Sequence, residues 1–165
     1  VRVLFSRLQV LSSFFIAYSH GKNDGQMPIG IIVIALVAYT GDQLLWDNIP
    51  IWVTLLSAGA ISFGTATGGW RVMKTLGMKV TTMRPIHGFA AQTAGAAVIE
   101  GASFLGIPVS TTHCISTSIM GVGATRRLSA VRWGVAGNIV TAWIITFPIC
   151  GALGYILASL FGLMS

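Results

Sequence analysis

Four apolar stretches, at residues 3–40, 51–69, 85–124 and 134–160, dominate this chain and leave little sequence to cover a water-facing surface. A bilayer-spanning helix needs about 20 predominantly apolar residues. The stretches at 51–69 and 134–160 reach or approach that length without a charged residue. Only 8% of all residues are charged and 54% are hydrophobic, whereas an ordinary soluble domain carries about 25% charged residues. The 20 glycines would weaken helices in water but let membrane helices pack closely. The expected fold is an all-α integral membrane protein, a single transmembrane helix bundle across residues 1–165.

Ten Lys and Arg residues against four Asp and Glu give a net charge of +6. The cations are gathered between the apolar stretches: Arg71, Lys74, Lys79 and Arg84 in one cluster, Arg126, Arg127 and Arg132 in another, with no acid in either. This is the placement the positive-inside rule expects of cytoplasmic loops, and it argues against a nucleic-acid partner. The loop at 41–49 carries only Asp42 and Asp47 and is assigned to the outer side.

These sides have a topological consequence. If both ends of residues 85–124 face the cytoplasm, that stretch must enter the membrane and return. Residues 114–124 are too few for a second full span, so a re-entrant-type helical hairpin with its tip at 108–113 is expected. The first stretch begins inside, at Arg2 and Arg7, and ends outside. Its polar centre predicts one broken helix over about 3–40, with pieces at 8–18 and 27–40. Irregular backbone at membrane depth is tolerated only where protein buries it or water reaches it, and two such breaks suggest a transporter site. A multi-pass protein of the cell membrane, a bacterial inner membrane, follows, with lipid as its surround. Trp46, Trp52, Trp70 and Trp133 fall near predicted helix ends, as interfacial anchors do. Gly64 and Gly68 form a small-xxx-small match suited to helix contact. The chain opens on Val1 rather than Met and has no signal-peptide pattern, so it reads as part of something longer.

The chemistry-bearing residues lie in the two polar interruptions. Asn23 and Asp24 precede Pro28, and a helix cap would explain them in water. Inside an apolar stretch a carboxylate is costly and usually functional, so Asp24 is the candidate ligand for a coupling cation, H⁺ or Na⁺. Lys22 is a candidate charge partner for Asp24 or a substrate contact. Ser110, Thr111 and Thr112 open a helix, where hydroxyls, free N–H groups and the positive helix end suit an oxyanion; simple capping is the alternative. His113, Glu100 and Gln92 are further candidates, whereas His20 and His87 fall near water boundaries and receive no role. Cys114 and Cys150 lie in apolar runs without metal-ligand spacing and read as small apolar residues. Beyond Na⁺ at Asp24 no metal site is expected, and no cofactor. Nor is an enzyme expected: no Ser-His-Asp order, His-rich metal spacing, Gly-rich phosphate loop or intramembrane-protease motif is present.

Ser19-His20-Gly21-Lys22-Asn23-Asp24-Gly25-Gln26 and Gly106-Ile107-Pro108-Val109-Ser110-Thr111-Thr112-His113 resemble the two signatures of the inorganic phosphate transporter (PiT) family. Gly68-Gly69-Trp70-Arg71-Val72-Met73-Lys74-Thr75-Leu76-Gly77 and Pro85-Ile86-His87-Gly88-Phe89-Ala90-Ala91 resemble the segment between them, in the family's order and spacing. The resemblance implies one half, the C-terminal repeat, of an inverted-repeat transporter. It further implies symport of inorganic phosphate, free or as a metal-phosphate complex. Asn23, Asp24, Ser110, Thr111 and Thr112 would then hold phosphate and its cation, with the N-terminal repeat as intramolecular partner. A homodimer could rebuild the site if that repeat were absent. Many members continue Asn-Asp with a second Asn; Gln26 is the substitute here. Gln92 stands where relatives often carry an acid. Other readings are a non-transporting receptor or scaffold half, and a transporter of another oxyanion such as sulfate.

Overall fold

The computed structural model describes residues 2–162, which form helices and turns with no strand among them; Val1 lies outside the described residues. Five long helices follow in order: α1 (Arg2–Thr40), α2 (Ile51–Lys74), α3 (Pro85–Phe104), α4 (Thr111–Arg126) and α5 (Trp133–Leu160). Short 3-10 turns at Gln43–Trp46 and Leu128–Ala130, and a π-helical turn at Thr75–Val80, join them. The Ile51–Val80 and Trp133–Leu160 segments are long and apolar enough to cross a membrane. The surface fits that setting. Phe14, Phe63, Phe147 and Leu160 are each more than 70% exposed, a display that monomeric soluble proteins rarely make.

The first helix corrects the sequence expectation. No break occurs at 19–26: α1 runs unbroken from Arg2 to Thr40 with Pro28 inside it. Proline removes the one N–H that would reach the Asp24 carbonyl, but the polar side chains around it are satisfied laterally by α3 and α4 rather than by unwinding. Gln9, Ser12, Ser19 and Asn23 recur at spacings of three, seven and four residues, which places them on one helical face. That face meets α3. Phe5 and Phe89 rings lie edge to face, 6.0 Å apart, Gln9 packs over Gly88, and Ser12 Oγ donates to Gln92 Oε1 at 2.6 Å. Further along, Lys22 meets Glu100 and Asn23 meets Val109. The contacts ascend both helices together, so α1 and α3 run parallel.

α3 and α4 pack against each other as a hairpin, with lengths of about 30 and 24 Å at 1.5 Å per residue. α3 stops because Gly106 takes φ +71°, a left-handed conformation in which a side chain would be strained. The Gly106 and Ile107 amides then bond back to Ser103 O and Ala102 O at 3.2 and 2.9 Å, closing a Schellman turn. Pro108 cannot resume the helix. Ser110 caps α4, its hydroxyl accepting from the His113 amide at 3.3 Å.

At the opposite end of the hairpin, the α2–α3 and α4–α5 connections are knitted together. Val80, Ala91, Ile119 and Val131 form the buried apolar cluster there. Arg132 N–H reaches Val80 O at 2.9 Å, Thr81 Oγ1 donates to Ala130 O at 2.9 Å, and Arg126 donates to Thr82 O at 3.2 Å. Gly123 is required here, since a Cβ would stand 2.8 Å from Val131 Cγ2. Gly64 and Gly68 behave otherwise. A Cβ on either meets nothing within 4 Å, so the small-residue motif makes no close contact within the described residues.

Candidate functional site

The parallel course of α1 and α3 carries the middle of α1 to the tip of the hairpin. Asn23, buried there, donates its amide to the Val109 carbonyl at 2.7 Å and to Asp24 Oδ1 at 3.0 Å. Thr111 Oγ1 donates to the Asp24 carboxylate, at 3.0 Å to Oδ2 and 3.2 Å to Oδ1. His20, one turn earlier on α1, sets Nε2 2.8 Å from Asp24 Oδ2. Asp24 is therefore approached from three sides by donors. The two polar segments, about 86 residues apart, meet side chain to side chain.

His20 is the residue that sequence reasoning passed over. Its signal was available: His20 and Asp24 are four apart, which on a continuous helix makes them neighbours, but a broken helix hides that relation. Lys22 is also reassigned. It pairs not with Asp24 but with Glu100, Nζ to Oε2 at 2.9 Å. Gln92 lies deeper along α3, bonded to Ser12 and to Ser13, apart from the Asp24 cluster. His113 turns away as well, its ring centroid 3.9 Å from that of Trp143 on α5.

Beside the cluster lies a cavity of about 860 Å³ whose walls include Asn23, Asp24, Gln26, Ser110, Thr111 and Thr112. A second, of about 560 Å³, is lined by Ile16, His20, Gly64, Gly68, Thr111 and Thr112 among others. Along α1 the second cavity opens before Asp24 and the first from Asn23 onward, so the Asp24–Thr111 contact stands between them. Thr112 faces both, and a third, smaller cavity with Arg71 and Ser116.

The arrangement has a definite chemical capacity. At the start of α4 the first amides lack intrahelical partners, and the His113 amide is the one that Ser110 caps. The remaining donors and the Thr112 hydroxyl suit an oxyanion, which the helix dipole also favours. The adjacent Asp24 carboxylate repels an anion unless a cation sits between them. On electrostatic grounds such an arrangement would favour an anion and a cation together over either alone. Among the described residues no group of three or more His, Cys, Asp or Glu side chains gathers for a metal ion.

Known proteins similar to this chain are named for phosphate transport. A relative from Rhizobium meliloti (strain 1021), named for low-affinity inorganic phosphate transport, is 47% identical over 161 residues, covering 94% of this chain and 47% of its own length. One from Bacillus subtilis (strain 168), named likewise, is 44% identical over 152 residues, covering 92% and 45%. A solved structure, "The sodium-dependent phosphate transporter", superposes with a TM-score of 0.85 at 34% identity, over 99% of this chain and 41% of that one. The chain spans about half the length of the curated relatives it matches, and those relatives are transporters rather than enzymes. With the model of the phosphate transporter family matched over residues 1–154, the chain belongs to that family of membrane proteins.

Proposed function

We propose that the chain is half of a secondary active symporter, moving inorganic phosphate together with Na⁺ or H⁺. The observation that carries this reading is the contact of Asp24 with Thr111 at the wall of a cavity that the start of α4 also lines. Phosphate would be held by the Ser110 and Thr112 side chains and the free Thr111 and Thr112 amides at the start of α4, with Asn23 and Gln26 across the cavity. The cation would lie at Asp24, where the Thr111 hydroxyl and the Val109 carbonyl supply neutral oxygens. Na⁺ is the first cation to test, because the solved neighbour is named as sodium-dependent. The remaining length of the relatives would supply an inverted counterpart repeat, and the α3–α4 hairpin would enter the membrane and return.

The test is phosphate uptake by the full transporter in proteoliposomes. An inward Na⁺ or H⁺ gradient should drive accumulation above the external concentration, and excess sulfate should not compete. Uptake indifferent to both gradients would overturn symport. No uptake at all would favour a receptor or scaffold, and sulfate competition a broader oxyanion carrier.

The proposed sidedness makes a separate expectation. Both basic loops meet at one end of the hairpin, and they are assigned to the cytoplasm of a multi-pass protein. In a background lacking Cys114 and Cys150, single cysteines at Lys74 and Arg127 should be protected from a membrane-impermeant thiol reagent in intact cells. One at Asp47 should react. Labelling of only one of positions 74 and 127 would rule out the returning hairpin.

A further inference from the structure

We propose that the Lys22–Glu100 ion pair is a positioning strut for the phosphate site, fixing the rotation and height of α1 against the hairpin. This rests on the reading of the Asp24–Thr111 cluster given above. Neither residue lines the large cavity, so neither is placed to touch the anion. Both are charged within apolar stretches, where an ionised group is expensive unless paired. They neutralise one another across the α1–α3 interface at 2.9 Å.

The location of the pair gives it leverage. Lys22 immediately precedes Asn23, and successive residues point about 100° apart around a helix. Lys22 holds α3 while Asn23 holds the Val109 carbonyl at the tip. Two anchors at adjacent positions and different angles leave α1 neither free to turn nor free to slide. A carboxylate about 5 Å from the helix axis moves about 1 Å for a 10° turn, and 1 Å of misplacement at a reacting or binding centre can cost up to about 100-fold. Asp24 is the next residue along. Glu100 has reason to depend on Lys22, because the other polar side chain beside it, Ser19, already donates its hydroxyl to Phe15 O at 3.0 Å. Removing the ammonium takes the counter-charge from a half-exposed carboxylate at the α1–α3 seam and, with it, the contact that fixes the register of the two helices there.

The experiment is phosphate uptake against concentration in the full-length transporter, with surface level measured in parallel. Lys22→Gln and Glu100→Gln should each raise the half-saturating phosphate concentration about tenfold, with a smaller fall in maximal rate per transporter. The exchange Lys22→Glu with Glu100→Lys should bring half-saturation back to within about threefold of wild type, and Lys22→Arg should stay within the same range. Single variants that match wild type at normal surface level overturn the proposal. So does damage that the exchange fails to repair, or a loss equal at all phosphate concentrations. If the single variants do not reach the membrane, the exchange and Lys22→Arg decide alone: wild-type half-saturation in both supports the strut, and a tenfold rise in both overturns it. Wild-type protein that fails to take up phosphate refutes the underlying site reading instead, and the two failures are distinct.

Discussion

Asp24→Asn should reduce cation-driven phosphate uptake by at least tenfold, equivalent to about 1.4 kcal/mol or more, at normal surface level. Asparagine preserves the size of the side chain and one oxygen to accept from Thr111, which at present donates to the carboxylate at 3.0 Å. What it removes is the charge. The carboxylate is the group that makes an adjacent anion unwelcome without a cation, so neutralising it should loosen the dependence of uptake on the cation gradient as well as its rate. The contact with His20 changes as well, since its Nε2, 2.8 Å from Asp24 Oδ2, would face an amide. Uptake near wild type, with gradient dependence unchanged, would reduce Asp24 to a fastener between α1 and α4.

The second large effect separates two neighbouring threonines. The Thr112 side chain makes no hydrogen bond to another described residue, and it faces the cavities on both sides of the cluster. Its hydroxyl is the available donor to an anion, and removing a donor to a charged acceptor costs roughly 1.5–3 kcal/mol. Thr112→Ala should therefore weaken apparent phosphate affinity by about tenfold or more, with Thr112→Ser much milder because the donor survives. Thr111 is buried and spends its hydroxyl on Asp24. Thr111→Ala should be at least as damaging but should also alter the cation dependence of uptake, which Thr112→Ala should leave unchanged. Uptake curves over both phosphate and cation concentration distinguish the two. Equal damage from Ser and Ala at position 112 would point to packing by the methyl group, and the anion role there would have to be dropped.

The sequence was informative about composition-driven features and less so about where polar groups turn. The two long apolar helices follow from hydropathy alone, and the hairpin tip from Gly106, Pro108 and Ser110, whose backbone preferences are local. The pairing of Asn23 and Asp24 with Ser110–Thr112 came through resemblance, because nothing local brings residues so far apart together. The unbroken course of α1 was missed for a physical reason. Gly21, Gly25 and Pro28 are breakers by propensity, but tertiary partners override propensity, and Glu100, Val109 and Thr111 supply them. Once the helix is continuous, Gln9, Ser12, Ser19 and Asn23 read as a polar stripe rather than a gap, and His20 falls into place beside Asp24. Gln92 reads in the sequence as a further candidate, at a position where relatives often carry an acid. It instead satisfies Ser12 and Ser13 on the same interface, an exchange between neutral groups that no spacing rule distinguishes from ligation.

The two cavities flanking the Asp24–Thr111 contact also bear on voltage. An electric field concentrates where the low-dielectric barrier is thinnest, and if the two cavities opened to opposite sides of the membrane and filled with water, that barrier would be about one helical turn of α1 together with the start of α4. Each elementary charge carried across the full potential gains about 2.3 kcal/mol per 100 mV. A cation passing from the His20 side to the Gln26 side, or back, would collect most of that over a few ångströms. A small displacement of the hairpin tip against α1 could then be strongly electrogenic, and the membrane potential would act on this one layer of side chains rather than on the fold as a whole.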